Sequence, residues 1–442
     1  MAKPRRKVLC VSPQFPPVNA ADAHRLRLVL PYLKDHGLDA TVLAVVPEQV
    51  GLDLDPLLVC GLPPEVPIIR VGALDRRWTS RVGLGNLGLR ALPALLSTGS
   101  HLLQNQQMDL IYFSTTLFDC IPLGRYWKHR FKVPYAVDLQ DPWRKDHYLR
   151  MPRSQRPRKL WFDYHLKALT EAISMPSVDG LTAVTADYLD QARWRYPSLV
   201  SVPMLELPFG AAEKDFEIAR QHAPGNPIFT PGDGLCHIVS TGVVPTSFEP
   251  VLAALFLALS LLRREVSLPL QFHFVGTDYV PDPSRPRRVL PIAERFGVAD
   301  LVREQTERLP YFQALHVMQE ADILLLPGSS DSRYTPSKLY NYVLARRPIL
   351  ALFHEHSRLC PLFSATNTGR LVTFRDAEAP EQYGARIAPV LRSLLHDMTR
   401  APDTNWDAIF PYTDAAMAKR LAAFFHEVVE CSQGRKPVGI TG

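Results

Sequence analysis

Cysteine is scarce in this sequence, and the spacing of the cysteines excludes two kinds of structural site. Six cysteines are scattered through 442 residues, and no two of them form a Cys-x-x-Cys pair. Without such pairs we expect neither a bound zinc ion nor a disulfide framework. The pattern therefore indicates a chain that folds in a reducing, cytoplasmic compartment.

Long hydrophobic runs and nucleic-acid-binding motifs are lacking as well. The apolar run after Lys7 extends for only about five residues, too short for the core of a signal peptide. No run of ~18 consecutive apolar residues occurs, so we expect no membrane-spanning helix. No RNP, zinc-finger or basic-zipper pattern occurs, so nucleic acid is not an expected partner.

What the sequence does contain is the composition of a globular protein with clustered arginines. The chain is 46% hydrophobic and 21% charged, and its length predicts about two or three domains. The net charge is +6. Arginine clusters could meet nucleic acid, an anionic lipid or a phosphate-bearing acceptor, but a solvated surface is the better explanation of any single cluster. The clusters are Arg76, Arg77 and Arg81; Arg144 and Arg150; Arg153, Arg156 and Arg158; Arg285, Arg287 and Arg288; and Arg346 and Arg347.

The beginning of the chain follows the order strand, loop, helix, strand. Residues 7–12 and 40–46 are apolar runs, and the segment between them carries a helical apolar stripe that stops at Gly37. This order is typical of the start of a doubly wound α/β domain. The stripe consists of Leu26, Val29, Leu30 and Leu33.

The most informative stretch of the chain is residues 321–352. Two short apolar runs, 323–326 and 348–352, are bounded by turn residues, as buried parallel strands are. A polar loop and a helix that begins near Ser337 lie between them. In such a unit, ligands bind at the carboxyl end of the first strand, beside the helix N-terminus. Lys338 in the first turn of that helix would suit a phosphate.

Residues 336–352, PSKLYNYVLARRPILAL, resemble the donor-site stretch of retaining GT-B glycosyltransferases that use nucleotide-sugar donors. The pattern in that family is roughly P-[ST]-K-[LF]-[FY]-E-Y-x-A-x-x-[RK]-P-[IV]-[LI]. This chain has Asn341 where the family usually has a glutamate that binds the donor ribose. An amide can still hydrogen-bond a hydroxyl, but without the assistance of a charge. The matching positions are Pro336, Ser337, Lys338, Leu339, Tyr340, Tyr342, Arg347 and Pro348.

The resemblance implies a donor site built from two loops and this helix. Relatives usually hold the donor diphosphate with an Arg and a Lys in the loop after the first strand of the second domain. The corresponding loop here, STGVVPTSFEP, contains neither. Three explanations stay open: backbone N–H groups and Ser247 substitute, Lys338 and Arg333 supply the charge, or donor turnover has been lost. The donor-binding residues that the resemblance implies are Gly242, Ser247, Gly328, Ser329, Ser330, Arg333, Thr335, Pro336, Ser337, Lys338 and Asn341.

The resemblance also implies functional residues in the first domain. Residues 133–143 read VPYAVDLQDPW, and the turn DLQDPW at the end of this predicted strand is similar to a D-x-[RQ]-D-x-W turn in part of the same family. Asp138 and Asp141 would then orient the acceptor or the donor sugar, while helix capping by Asp141 is the alternative. The first loop has Asn19 and two alanines where relatives often have paired glycines. His24 and Arg25 could meet an anion there, and a plain surface turn is an equal alternative.

As a whole, the resemblance implies two doubly wound Rossmann-like α/β domains that face a cleft. We expect residues 1–207 to form the acceptor-side domain, residues 208–411 the donor domain, and the helix within 412–442 to pack back on the first. The implied activity is transfer of a sugar from a nucleotide-sugar to a hydroxyl of a glycan, lipid-linked or small-molecule acceptor, with retention and without metal or cofactor. The protein would act in the cytoplasm, with peripheral contact to an anionic membrane as an option.

Two other functions remain open at this point. A non-catalytic GT-B protein that binds a nucleotide or a protein partner would explain the missing Arg/Lys pair and Asn341. A sugar-nucleotide epimerase would need acidic and histidine groups around the sugar, and residues 327–342 largely lack them.

Overall fold

The computed structural model describes residues 4–82, 85–144, 146, 160–265, 269–278, 287–330, 338–396 and 401–434. The chain divides into two compact units. The first comprises residues 1–210 and 414–442, and the second comprises residues 211–413. These divisions lie within three residues of the domain limits expected from the sequence.

The first unit is built on a parallel sheet of seven strands in the order β3-β2-β1-β4-β5-β6-β7. The order reverses between β1 and β4, which makes this point the topological switch of the sheet. Both strands end in buried apolar residues, as expected for central strands covered on two faces. The strands are β1 (Arg6–Val11), β2 (Leu38–Val45), β3 (Ile68–Val71), β4 (Leu110–Phe113), β5 (Tyr135–Leu139), β6 (Gly180–Ala183) and β7 (Met204–Glu206).

Helices of the first unit bury their apolar stripes against this sheet. The predicted stripe of α1 is fully inside, and Gly37 after it adopts a left-handed φ of 77° as a helix stop. The long helix α3 packs several of its leucines into the core. These helices are α1 (Ala23–Leu33), α2 (Arg76–Thr79), α3 (Leu87–Asn105), α4 (Pro122–Phe131), α5 (Leu160–Ser174) and α6 (Ala186–Arg195).

The second unit has a parallel sheet of six strands in the order β10-β9-β8-β11-β12-β13, with its switch point between β8 and β11. Its strands are β8 (Cys236–Thr241), β9 (Leu270–Val275), β10 (Val302–Gln305), β11 (Ile323–Pro327), β12 (Ile349–His354) and β13 (Gly369–Phe374). Its helices are α7 (Glu213–His222), α8 (Glu249–Glu265), α9 (Leu290–Arg295), α10 (Tyr311–Glu320), α11 (Lys338–Leu344), α12 (Leu359–Thr366), α13 (Pro380–His396) and α14 (Trp406–Ile409).

Helix α8 is long and rich in apolar residues. By length and composition, the segment Thr246–Arg264 could cross a membrane. Most of its apolar side chains are buried, however, and belong to the core beneath β8 and β9. Burial of this kind is typical of the central helix of a water-soluble core.

The last helix, α15 (Asp414–Ser432), packs on the first unit. Arg6 at the start of β1 binds Glu430 at 3.0 Å, and Tyr32 donates to Asp414 at 2.8 Å. A Cβ added at Gly180 in β6 would lie 2.5 Å from Val428, so the helix approaches the sheet closely. This arrangement confirms the predicted return of the C-terminal helix to the first domain.

Candidate functional site

The carboxyl end of β8 is held between two side chains of α11. The Thr241 N–H donates to the Tyr342 hydroxyl at 2.8 Å, and Lys338 Nζ donates to the Thr241 carbonyl at 2.9 Å. Lys338 and Tyr342 are four residues apart, so they lie on one face of the helix. The strand, loop, helix unit predicted from residues 321–352 therefore places Lys338 directly at the switch point of the second sheet.

Lys338 carries a positive charge without a counter-ion among the residues that the structure describes. No ion pair is found for its ammonium group there, and Thr241 O is its hydrogen-bond acceptor. Burial lowers the pKa of Lys338 to about 8 from its ordinary value of 10.5. An enclosed cation that is paired only with a carbonyl is unfavourable, and a bound anion would relieve that cost.

Gly242 and Gly328 owe their identity to the backbone around them. Gly242 has a left-handed φ of 95°, and its N–H is already bonded to Val275 O at 2.7 Å. A Cβ at Gly328 would lie 2.5 Å from Leu352 O in the neighbouring strand β12. Gly242 thus provides a turn without a side chain at the end of β8, and Gly328 permits close packing after β11.

Three predicted serines join the two loops at this edge of the sheet. Ser329 Oγ donates to Ser247 Oγ at 2.9 Å, and the Ser330 N–H donates to Ser247 O at 3.0 Å. The loops after β8 and β11 therefore form one surface, as the resemblance implied. Of the remaining predicted donor residues, Arg333, Thr335, Pro336 and Ser337 lie outside the described residues.

Asn341 follows Lys338 by three residues on α11. Its side-chain oxygen is buried and finds no hydrogen-bond donor within the described part of the chain. A buried acceptor without a donor is unfavourable, so a ligand hydroxyl would improve this site. The prediction that Asn341 binds a ribose hydroxyl stays a prediction, but its unused oxygen fits that role.

Arg288 is a residue of this site that sequence reasoning missed. Its guanidinium donates to Val244 O at 3.0 Å, in the loop that follows β8, and pairs with Asp278 at 3.3 Å. The resemblance implies an Arg or Lys within that loop, whereas the structure brings Arg288 to it from just before α9. The arginine cluster at 285–288 was visible in the sequence, but its proximity to residue 244 depends on the tertiary fold.

In the first unit, Asp138 forms a buried ion pair with Arg25. The carboxylate accepts from Arg25 Nε at 3.0 Å, from Gln140 Nε2 at 2.7 Å and from Thr182 Oγ1 at 2.7 Å. Both charged side chains are 0% exposed. The expected contact of Asp138 with a sugar needs correction: with these donors in place and no solvent access, its geometry is that of a structural ion pair.

Arg25 requires the same correction, because it links α1 to the chain that leaves β7. Its guanidinium donates to Pro208 O at 2.9 Å and to Leu207 O, and it lies 4.6 Å from the centre of the Phe209 ring. An arginine with these partners is not available to a phosphate. Buried guanidinium groups of this kind fix the geometry of a fold through several directed bonds.

The other predicted residues of the first unit, Asp141, Asn19 and His24, each have different neighbours. Asp141 is exposed, and its charge contributes, after burial, to the raised pKa of Tyr188. The Asn19 N–H donates to Asp53 O at 2.9 Å, and His24 Nδ1 lies 3.2 Å from an Arg27 nitrogen. Asp138 is buried and Asp141 is exposed, so the two carboxylates lie in different environments.

Asp22 is a second residue that the sequence reasoning passed over. It lies at the switch point between β1 and β4, where it accepts from Thr115 Oγ1 at 3.1 Å and from the Thr116 N–H at 3.0 Å. It is 3% exposed, and burial raises the pKa of its carboxyl group. Its neighbours His24 and Arg25 have basic side chains that point to an anion contact, whereas a single aspartate in a loop gives no such signal.

Comparison with solved structures identifies the architecture. Sucrose-phosphate synthase from Thermosynechococcus elongatus is similar, with a TM-score of 0.59 and 14% identity over 97% of this chain and 100% of that one. Anabaena HepE, solved with UDP and glucose, is similar with a TM-score of 0.52 and 13% identity over 97% of this chain and 98% of that one. A UDP-forming α,α-trehalose-phosphate synthase from Burkholderia xenovorans is similar with a TM-score of 0.55 and 10% identity over 96% of this chain and 99% of that one.

Sequence comparison adds no closer relative: neither a protein-family model nor a curated protein matches this chain. At 10–14% identity, the structural likeness extends over almost the whole chain and defines its architecture rather than its substrates. The chain has the two-domain α/β GT-B fold.

Proposed function

We propose that this protein is a glycosyltransferase that binds a nucleotide-sugar donor at the carboxyl ends of β8 and β11. The diphosphate would lie against Lys338 and Arg288, and the ribose against Asn341. Transfer to a hydroxyl of the acceptor would proceed with retention and without metal, because helix and side-chain charges would stabilise the leaving diphosphate. The acceptor would be a glycan, a lipid-linked intermediate or a small molecule.

The observation that carries this proposal is the ammonium group of Lys338 at the switch point of the second sheet, which has no counter-ion among the described residues. Ligands of open α/β sheets bind in this place, and a diphosphate supplies the missing negative charge. Lys338 Nζ is anchored 2.9 Å from Thr241 O, so the charge is already fixed before a ligand arrives. A preorganised charge stabilises a leaving group without a cost of reorganisation.

Solved relatives suggest which nucleotide to try first. HepE has been solved with UDP-glucose. We therefore expect UDP and its sugars to bind, and we would compare them with GDP, ADP and dTDP in thermal-shift measurements. Ligand at a hundred times its Kd adds about 2.7 kcal/mol of stability, which is several degrees in melting temperature for a protein of this size.

The matched variants are Lys338→Ala and Arg346→Ala, two basic residues near opposite ends of α11. Arg346 is exposed and paired with Glu213 at 3.0 Å, so its loss should leave the nucleotide shift intact. Lys338→Ala should abolish the shift. Equal shifts in the two variants would place the nucleotide elsewhere, and no shift with any nucleotide in the wild type would contradict the proposal.

A non-catalytic nucleotide-binding protein is the alternative, favoured by the absence of Arg and Lys from the loop after β8. The two functions differ in turnover. A glycosyltransferase should slowly hydrolyse its bound nucleotide-sugar in the absence of an acceptor, and Lys338→Ala should suppress that hydrolysis. Saturable binding of the nucleotide-sugar without any hydrolysis or transfer would favour the alternative.

A further inference from the structure

A cavity of about 710 Å³ lies in the second unit and is lined by residues that the proposed donor site does not use. Its floor includes Gln271, His273 and Val275 of β9, which alternate with the core residues Leu270, Phe272 and Phe274. Phe229, from the loop that precedes β8, also lines it. Its ring stacks on the His237 imidazole with a centroid distance of 4.2 Å.

Three side chains at this cavity form a directed chain of hydrogen bonds. Asp233 Oδ1 lies 3.1 Å from His237 Nε2, and His237 Nδ1 lies 3.0 Å from His273 Nε2. An ionised carboxylate can only accept, so His237 carries a proton on Nε2. When His237 is neutral, its Nδ1 accepts from His273 Nε2 and leaves a lone pair on His273 Nδ1. When His237 is doubly protonated, it donates to His273 Nε2, and the His273 proton lies on Nδ1.

That last nitrogen is buried and finds no partner among the described residues. His273 is 4% exposed, and its Nδ1 has no hydrogen-bond donor there. Burial, followed by the neighbouring His237 and Arg303, lowers the pKa of His273 to about 4. The ring therefore stays neutral near pH 7, and its Nδ1 accepts or donates according to the charge on His237. A hydroxyl can both donate and accept, so it satisfies this nitrogen in either state.

The other lining groups disfavour an anion. Asp300 is paired with Arg263 at 2.5 Å, and the remaining carboxylates, Asp233, Glu294 and Glu304, still outnumber the guanidinium groups of Arg287 and Arg303. A phosphate would meet this excess of negative charge, whereas an uncharged polyol would not. The amides of Gln271 and Gln305 both donate and accept, which suits hydroxyl groups. The Phe229 ring offers an aromatic face to the C–H side of a sugar ring.

From these observations we infer that the cavity formed by His273, Gln271, Gln305 and Phe229 is a binding site for an uncharged carbohydrate. A sugar hydroxyl hydrogen-bonds to His273 Nδ1, and the hydrogen bonds from Asp233 through His237 fix the orientation of the imidazole. The site goes beyond the proposed donor site, because no diphosphate and no Lys338 takes part. A glycan bound here would be held on the donor unit independently of turnover.

The test uses the full chain labelled with ¹⁵N-histidine and two-bond ¹⁵N–¹H spectra, which report hydrogen bonding at each ring nitrogen. Glucose, galactose and maltotriose are titrated to concentrations that detect millimolar affinity. We expect a saturable shift of His273 Nδ1 with at least one of them. The internal control is His316 in α10, whose Nδ1 is also buried and unpaired within the described residues but which does not line the cavity.

Two variants and a titration with inorganic phosphate complete the experiment. Phe229→Ala should weaken sugar binding about three- to tenfold, the range expected for loss of one aromatic contact. Lys338→Met should leave it unchanged, so failure of the donor proposal would not affect this result. The inference is overturned if none of the sugars moves His273, if His316 moves equally, or if inorganic phosphate produces the same shift.

Discussion

Replacement of Lys338 by methionine should stabilise the ligand-free protein while it removes nucleotide binding. The wild-type lysine must keep a proton in an enclosed site that lowers its pKa to about 8. In the unfolded chain the same group titrates near 10.5. Methionine has a similar length and no charge, so it fills the space without the cost of burying an ammonium group.

The magnitude follows from the two pKa values. A shift of one unit corresponds to about 1.4 kcal/mol, so the lysine costs about 3 kcal/mol at pH 7. Loss of the hydrogen bond from Lys338 to Thr241 O offsets about 1 kcal/mol of the stability that the variant gains. We therefore expect Lys338→Met to raise the free energy of unfolding of the second unit by about 2 kcal/mol at pH 7, an upper figure because the side chain retains some exposure.

The sign of the pH dependence provides a second test. Between pH 8 and 10.5 the unfolded chain binds more protons at this lysine than the folded chain does, so wild-type stability rises with pH in that window. The advantage of the variant should consequently shrink by about 2 kcal/mol between pH 7 and pH 9.5. Urea unfolding of the wild type and of Lys338→Met at the two pH values measures this change in stability, with Arg346→Met as the control. The reasoning is refuted if Lys338→Met is less stable than wild type at pH 7, or if its advantage does not change with pH.

Three further changes have defined outcomes. Asp138→Asn should destabilise the first unit by about 3–5 kcal/mol in urea unfolding, because Arg25 is left buried and uncompensated; a cost below 1 kcal/mol would mean that the pair is dispensable. His273→Phe should flatten the loss of stability on acidification, since the wild type, with its pKa lowered to about 4, loses up to about 3 kcal/mol as the pH falls from 6.5 to 4; unchanged pH profiles would contradict this. Gly328→Ala should lower the melting temperature with or without nucleotide, because its Cβ would meet Leu352 O at 2.5 Å; loss of nucleotide binding at unchanged stability would instead assign Gly328 to the ligand.

The fold was accessible from the sequence because its strands are local signals. The runs at β1, β8, β9 and β11 are short, apolar and bounded by turn residues. This pattern is typical of parallel strands that are buried on both faces. β13 was not predicted. It begins at Gly369, and its residues are half-buried and mixed in polarity, so it carries neither a continuous apolar run nor a clean alternation.

The candidate site was less accessible, because its charges are arranged by tertiary contacts. Lys338 could be placed from the helix that follows a buried strand. The pairing of Arg25 with Asp138 joins residues 113 positions apart, and Arg288 reaches Val244 across 44 positions. A sequence shows which residues are charged, but burial and pairing decide whether a charge is free for a ligand.

The most direct test of the central claim is isothermal titration of the wild-type protein with UDP at pH 8.5 in buffers of different ionisation enthalpy. If the diphosphate binds Lys338, it raises the pKa of that lysine from about 8 and draws a proton from the buffer. At pH 8.5 the lysine is about one-quarter protonated when free and almost fully protonated when paired, so we predict uptake of about 0.7 proton per UDP bound. Binding without proton uptake, or uptake that persists in Lys338→Met, would contradict the assignment of this lysine to the donor diphosphate.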